Sequence, residues 1–160
     1  MEHGWADEAG AFTGAFGSHH LDAAVLLMPV VGFSPASDPR FRRTMETVRR
    51  ELGDDGLLQR WTGAEEGAFV ICSYWLAECL ALAGEVDRAR EVFDRVGARA
   101  NDVGLLSEQV DTASGQLLSN FPQTFSHAGL INAAWAIEQA TSDQGTRDRK
   151  DAPWAGSPTG

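Results

Sequence analysis

Residues 66–100 read EGAFVICSYWLAECLALAGEVDRAREVFDRVGARA, and the change of character midway decides the fold. The first half places Phe69, Val70, Ile71, Tyr74, Trp75, Leu76 and Leu80 around most of a helix, and Gly84 closes it. The second half keeps Ala89, Val92, Phe93 and Val96 on one side, with Asp87, Arg88, Arg90, Glu91, Asp94 and Arg95 elsewhere. A helix that is apolar all round needs neighbours on every side, whereas a one-stripe helix lies at a surface. The pattern therefore predicts an inner helix over 65–83 followed by an outer helix over 86–100.

Working outward, the same alternation continues. A helix over 18–31, with Ser18 as its N-cap and the run LDAAVLLMPVV, is again apolar. The next, over 38–52, is capped by Asp38 with Pro39 at its first position and carries Phe41, Met45, Val48 and Leu52 as one stripe. The last, over 126–140, reads SHAGLINAAWAIEQA with hardly a charge. Inner, outer, inner, outer, inner is the order of an all-α double ring, an (α/α) toroid of which five helices make only a part. Both outer-to-inner links are long: GDDGLLQRWTGAEEG at 53–67 and NDVGLLSEQVDTASGQLLSNFPQTF at 101–125. Successive inner helices of such a ring point the same way, so residues 55–66 and 101–127 are expected together at one mouth, where sites are usually built. Val110 to Leu118, around a turn at Asp111–Gly115, suits a short hairpin. From Thr141 the polar, Gly- and Pro-containing sequence predicts a disordered tail over 141–160, leaving 1–140 as the folded domain.

Thirteen basic and twenty-three acidic residues give a net charge of −10, which repels phosphate backbones and anionic lipid. Neither a nucleic-acid nor a membrane partner is expected; a neutral polar partner such as a sugar suits this field. The N-terminal MEHGWADEAGAF has no export pattern, and the apolar run from Ala23 to Phe33 is short and contains Pro29. Cys72 and Cys79 lie two helical turns apart, too far for a disulfide, and read as buried free thiols of a cytoplasmic protein. No metal and no cofactor is expected. His19 and His20 diverge by a hundred degrees on a helix, His127 reads as a satisfied structural histidine, and GDDG lacks the lysine of a phosphate loop. Trp75 and Trp135 read as core.

The stretch GLLSEQVDTASGQLLSNFPQTFSHAGLINAA at 104–134 resembles the general-base segment of glycoside hydrolase family 15, which contains glucoamylases, glucodextranases and bacterial trehalases. GAFTGAFGSHHLDAAVLLMP (10–29), GLLQRW (56–61) and EGAFVICSYWLAECLALAG (66–84) follow the same family's order and spacing, so the likeness spans about residues 2–140. It implies part of an (α/α)6 barrel and hydrolysis of a terminal α-linked glucose with inversion. That reaction needs one carboxyl to protonate the leaving oxygen and another to activate water on the opposite face. By resemblance Glu108 is the general base, and Gln109 helps hold the water or a sugar hydroxyl. Arg60 matches a glucose-binding arginine, though a surface ion pair is its plainer reading. Trp61 and Phe69 suit an apolar sugar-stacking surface. Glu66 belongs to the family block but also suits a helix N-terminus, as does Glu65.

The family's general acid is a glutamate directly after tryptophan. Here Trp5, Trp61, Trp75, Trp135 and Trp154 are each followed by another residue type. The chain is therefore expected to be a fragment of the catalytic domain, inactive alone, taking an α-glucoside or trehalose only when completed and self-associating through open helix flanks. The alternative is a tetratricopeptide-like interaction scaffold, suggested by AGEVDRAREVFDRVGARA, although its 34-residue repeat and short loops do not match.

Overall fold

The computed structural model describes residues 2–64 and 66–151, with side chains placed through residue 146. A small hairpin of β1 (Trp5–Ala6) and β2 (Ala11–Phe12) leads into a 3-10 turn (Ala23–Leu26) and α1 (Leu27–Val30). Then follow α2 (Pro39–Glu51), β3 (Gly53–Asp54), β4 (Leu57–Leu58), β5 (Ala68–Phe69), α3 (Val70–Leu82), α4 (Val86–Gly97), β6 (Gln109–Val110), β7 (Leu117–Leu118) and α5 (Thr124–Asp151).

The inner-and-outer assignment holds best in the middle of the chain. α3 is the hub: Cys72, Tyr74, Leu76, Ala77, Cys79 and Leu80 are all buried, and both thiols are free. α2 and α4 each bury one stripe, Phe41, Met45 and Val48 on the first and Val86, Ala89 and Val96 on the second. Asp38 caps α2 as expected, its carboxylate accepting from Arg40 N at 2.8 Å. α5 packs along α3 so closely that a Cβ on Gly129 would come within 3.2 Å of the Tyr74 side chain.

Three boundaries and the exposure of one flank differ from the sequence reading. The first inner helix is only eight residues of 3-10 and α turn, because Ser18 does not cap it; Asp22 does, accepting from Ala24 N at 2.8 Å. α3 starts at Val70, since Ala68 and Phe69 are taken into a strand, and Glu65 lies outside the described residues. α5 runs on past Ala140 to Asp151, so the start of the expected disordered tail is helical; 152–160 lie outside the described residues. Its flank is also open: Phe125, Ile131 and Trp135 are exposed, Trp135 by 67%, where the sequence suggested core.

An all-α reading also misses a five-stranded antiparallel sheet, ordered β3-β4-β5-β6-β7. Its strands are two residues long, too short to leave a periodicity in the sequence. The β3–β4 turn places Asp55 and Gly56 at φ 45° and 78°, the pair of positive angles that an Asp-Gly hairpin supplies. The expected Val110–Leu118 hairpin is present as β6 and β7, with Val110 opposite Leu117. The Asp111 carboxylate secures its turn by accepting from Ser114 N at 2.7 Å, and that bond holds Asp111 below its ordinary range.

Candidate active site at the helix N-termini

The two long links meet over the starts of the inner helices. Asp22 N-caps the first of them and forms an antiparallel bridge with Trp61, while Ala23 N donates to Arg60 O at 2.8 Å. The second begins at Val70, whose N–H donates to Glu108 O at 3.0 Å. The third begins beside Ser126, whose hydroxyl donates to Ser107 O at 2.7 Å. Each helix start leaves N–H groups without an intrahelical partner, and these links satisfy part of that need. Residues 55–66 and 101–127 thus share one end of the ring.

Glu108 is half-buried, immediately before β6. Its Oε2 accepts from Asn120 Nδ2 at 2.7 Å, and its N–H donates to Asn120 O at 2.9 Å. The carboxylate is held in place without being withdrawn from solvent. Gln109, the neighbour, is 7% exposed and donates from Nε2 to Glu66 Oε2 at 3.1 Å. Gln109 and Glu66 line a cleft of about 510 Å3 with Asp54, Gly67, Asp111 and Thr112, where the Gln109 amide is already engaged by the Glu66 carboxylate.

The sheet brings the remaining residues alongside. Phe69 stands opposite Gln109 on one side and Leu58 on the other. Its ring lies 6.4 Å from that of Trp61, which is 45% exposed and forms an open aromatic surface. The Arg60 guanidinium sits 5.9 Å from the Trp61 ring and 5.6 Å from that of Trp75, with Nε 3.0 Å from Asp22 Oδ1. That approach is an ion pair rather than an aligned hydrogen bond, and both side chains are 27% exposed. The plain ion-pair reading of Arg60 is therefore correct in part, though the pair is stacked and largely sheltered.

All six residues singled out from sequence, Arg60, Trp61, Glu66, Phe69, Glu108 and Gln109, lie on or beside this sheet. Sequence reasoning missed Asp22 as the partner of Arg60, because the acid lies 38 positions upstream in what read as helix interior. Trp75, read as core, does pack half-buried against the main core cluster, and its ring also lies beside the Arg60 guanidinium, which the sequence did not suggest. His127 is satisfied, as expected, by Gln123 O and the Leu106 N–H. Among the described residues no His, Cys, Asp and Glu group has metal-holding geometry, and no helix is long and apolar enough to cross a membrane.

Residues 1–135 match the family model of glycosyl hydrolases family 15. The chain belongs to this family. It is 39% identical over 151 residues to a trehalase of Mycobacterium tuberculosis, covering 89% of this chain and 22% of that protein. It is 38% identical over 146 residues to a trehalase of Thermoplasma volcanium, covering 88% of this chain and 23% of the relative. The family 15 chain thus spans under a quarter of the length of these relatives. A solved glycosidase variant in complex with glucose superposes with a TM-score of 0.75 at 23% identity, over 86% of this chain and 40% of that one. That superposition shows the fold, and the partial coverage agrees with five helices of a larger barrel.

Proposed function

We propose that this chain carries the base-bearing part of an inverting α-glycosidase site that acts on trehalose or another α-linked glucoside. The observation that carries the reading is Glu108: a half-buried carboxylate, anchored through one oxygen by Asn120, at a mouth shared with an exposed Trp61–Phe69 surface and a stacked arginine. With Oε2 occupied by Asn120, Oε1 takes the proton from an attacking water. Trp61 supplies an apolar face for a sugar ring, and the outer edge of Arg60 donates to its hydroxyls. Glu66 acts through Gln109, fixing that amide. The trehalase names of the relatives support the substrate class, and a glucose complex of a protein with this fold supports a sugar at such a mouth.

No tryptophan here precedes a glutamate, so the leaving-group acid comes from a different segment of the complete barrel. The isolated chain is inactive on this account. Its open α5 flank, with Phe125, Ile131 and Trp135, favours self-association. Two buried free thiols suit a reducing, cytoplasmic setting. The tetratricopeptide-like scaffold finds no support: the α3–α4 turn is short, but both links that follow α2 and α4 are long and build a sheet at one mouth.

A chimera in which residues 1–135 replace the matching part of the M. tuberculosis trehalase tests the reading. Inverting hydrolysis of trehalose releases one β- and one α-glucose, which proton NMR resolves before mutarotation. Exclusive release of α-glucose would overturn the inverting assignment.

A further inference from the structure

The Ser-His pair at 126–127 has no part in the proposed chemistry, yet both residues grip the segment carrying Glu108. The main chain from Leu106 to Gln109 is held at several successive points. Leu106 O accepts from Gln123 N at 2.8 Å, and Ser107 O accepts from the fully buried Ser126 hydroxyl at 2.7 Å. Ser107 Oγ, itself buried, spans Glu108 to donate to Gln109 O at 2.6 Å. Glu108 N and O are taken by Asn120 O and Val70 N. The Leu106 N–H points to His127 Nε2 at 3.4 Å, and His127 Nδ1 lies 2.8 Å from Gln123 O.

These partners fix the histidine's state. Gln123 O can only accept, so Nδ1 carries the proton; Leu106 N–H can only donate, so Nε2 is bare. That is the tautomer that free imidazole favours less. α5 is a suitable anchor because its next turn, at Gly129, is pressed against Tyr74 of α3. The base segment is therefore tied at once to the first turn of α3, through Val70, and to the first turn of α5.

We infer that Ser126 and His127 are positioning residues for Glu108: acting on the main chain of Leu106 and Ser107, they fix where the carboxylate stands without touching substrate. The inference rests on the general-base reading. Removing the hydroxyl leaves Ser107 O buried and unpaired, which loosens the segment locally.

Amide exchange of the chain with Ser126→Ala tests it. The Glu108 and Gln109 amides should exchange about tenfold faster, with the Asn120 side-chain amide resonances moving toward free-asparagine positions and the amides of α2 and α4 unchanged. Uniform acceleration throughout, or none, would overturn the inference. If that variant does not fold, nitrogen-15 shifts of His127 in the unaltered chain decide: a bare Nε2 is expected, and a protonated Nε2 would refute the clamp. In the trehalase chimera Ser126→Ala should lower kcat about tenfold with KM unchanged. An inert Glu108→Gln beside locally accelerated exchange would defeat the base reading while leaving the clamp standing.

Discussion

Gly67 stands where β5 and β6 beneath the site leave no room for a side chain. A Cβ there would stand 2.6 Å from Val110 O and 2.9 Å from Val110 C. These are backbone atoms of β6, directly after Gln109, so no flexible side chain can turn aside. Gly67→Ala must push β5 and β6 apart, disturbing the Ala68–Val110 and Phe69–Gln109 pairs. Forcing a methyl into a packed site costs about 1–3 kcal/mol. Alanine returns about 0.4–1 kcal/mol by restricting the unfolded chain. The net loss is about 1–2 kcal/mol, which for a chain of this size lowers Tm by about 2–8 °C. Gly97→Ala is the control, since nothing lies within 4 Å of its Cβ and α4 ends there. It should be neutral or stabilising by under about 1 kcal/mol. Calorimetry or urea titration of the two variants decides. A Gly67→Ala protein as stable as the parent, or a Gly97→Ala protein equally damaged, would refute the close-packing argument.

Two carboxyls should give opposite pH signatures. Partial burial pushes Glu46 up, but hydrogen bonds and charge from Arg88 and Arg49 outweigh it and hold the group below its ordinary value. Its contribution is thus present above the ordinary carboxyl value and lost as pH falls through the lower folded one, so Glu46→Gln should destabilise near neutrality and not in acid. Burial raises Glu78, so its cost appears as pH rises through the ordinary and then the folded value, and Glu78→Gln should stabilise only near neutrality. Urea melts at both pH values check the pair, and parallel profiles would contradict them. Burial pushes the Cys72 thiol up to about 12 and Cys79 higher still, so neither should be alkylated by iodoacetamide at about pH 8 until the chain is unfolded. Sedimentation should show concentration-dependent self-association that Trp135→Lys reduces, whereas a monodisperse parent at high concentration would remove the open-flank argument.

What the sequence made legible is what periodicity and loop length encode. The all-round apolar character of α3 and the single stripes of α2 and α4 gave inner and outer positions directly. The parallel inner helices then put both long links at one mouth, and family resemblance located Glu108 within them. The strands were hidden because two residues cannot show an alternation. Helix 18–31 was over-read because apolar residues from Leu21 onward look helical whether or not Asp22 interrupts them. The run 141–151 was under-read because its polarity resembles a tail, although helix continues through it. The Arg60–Asp22 pair was invisible because long-range ion pairing leaves no local signal.

The most direct measurement is turnover of trehalose by the chimera with and without Glu108→Gln. The substitution keeps shape and the Asn120 bond but removes the proton acceptor. The account predicts a fall in kcat of at least about 100-fold with KM little changed. Activity within a factor of about two of the parent would contradict the assignment of Glu108 as the group that activates water.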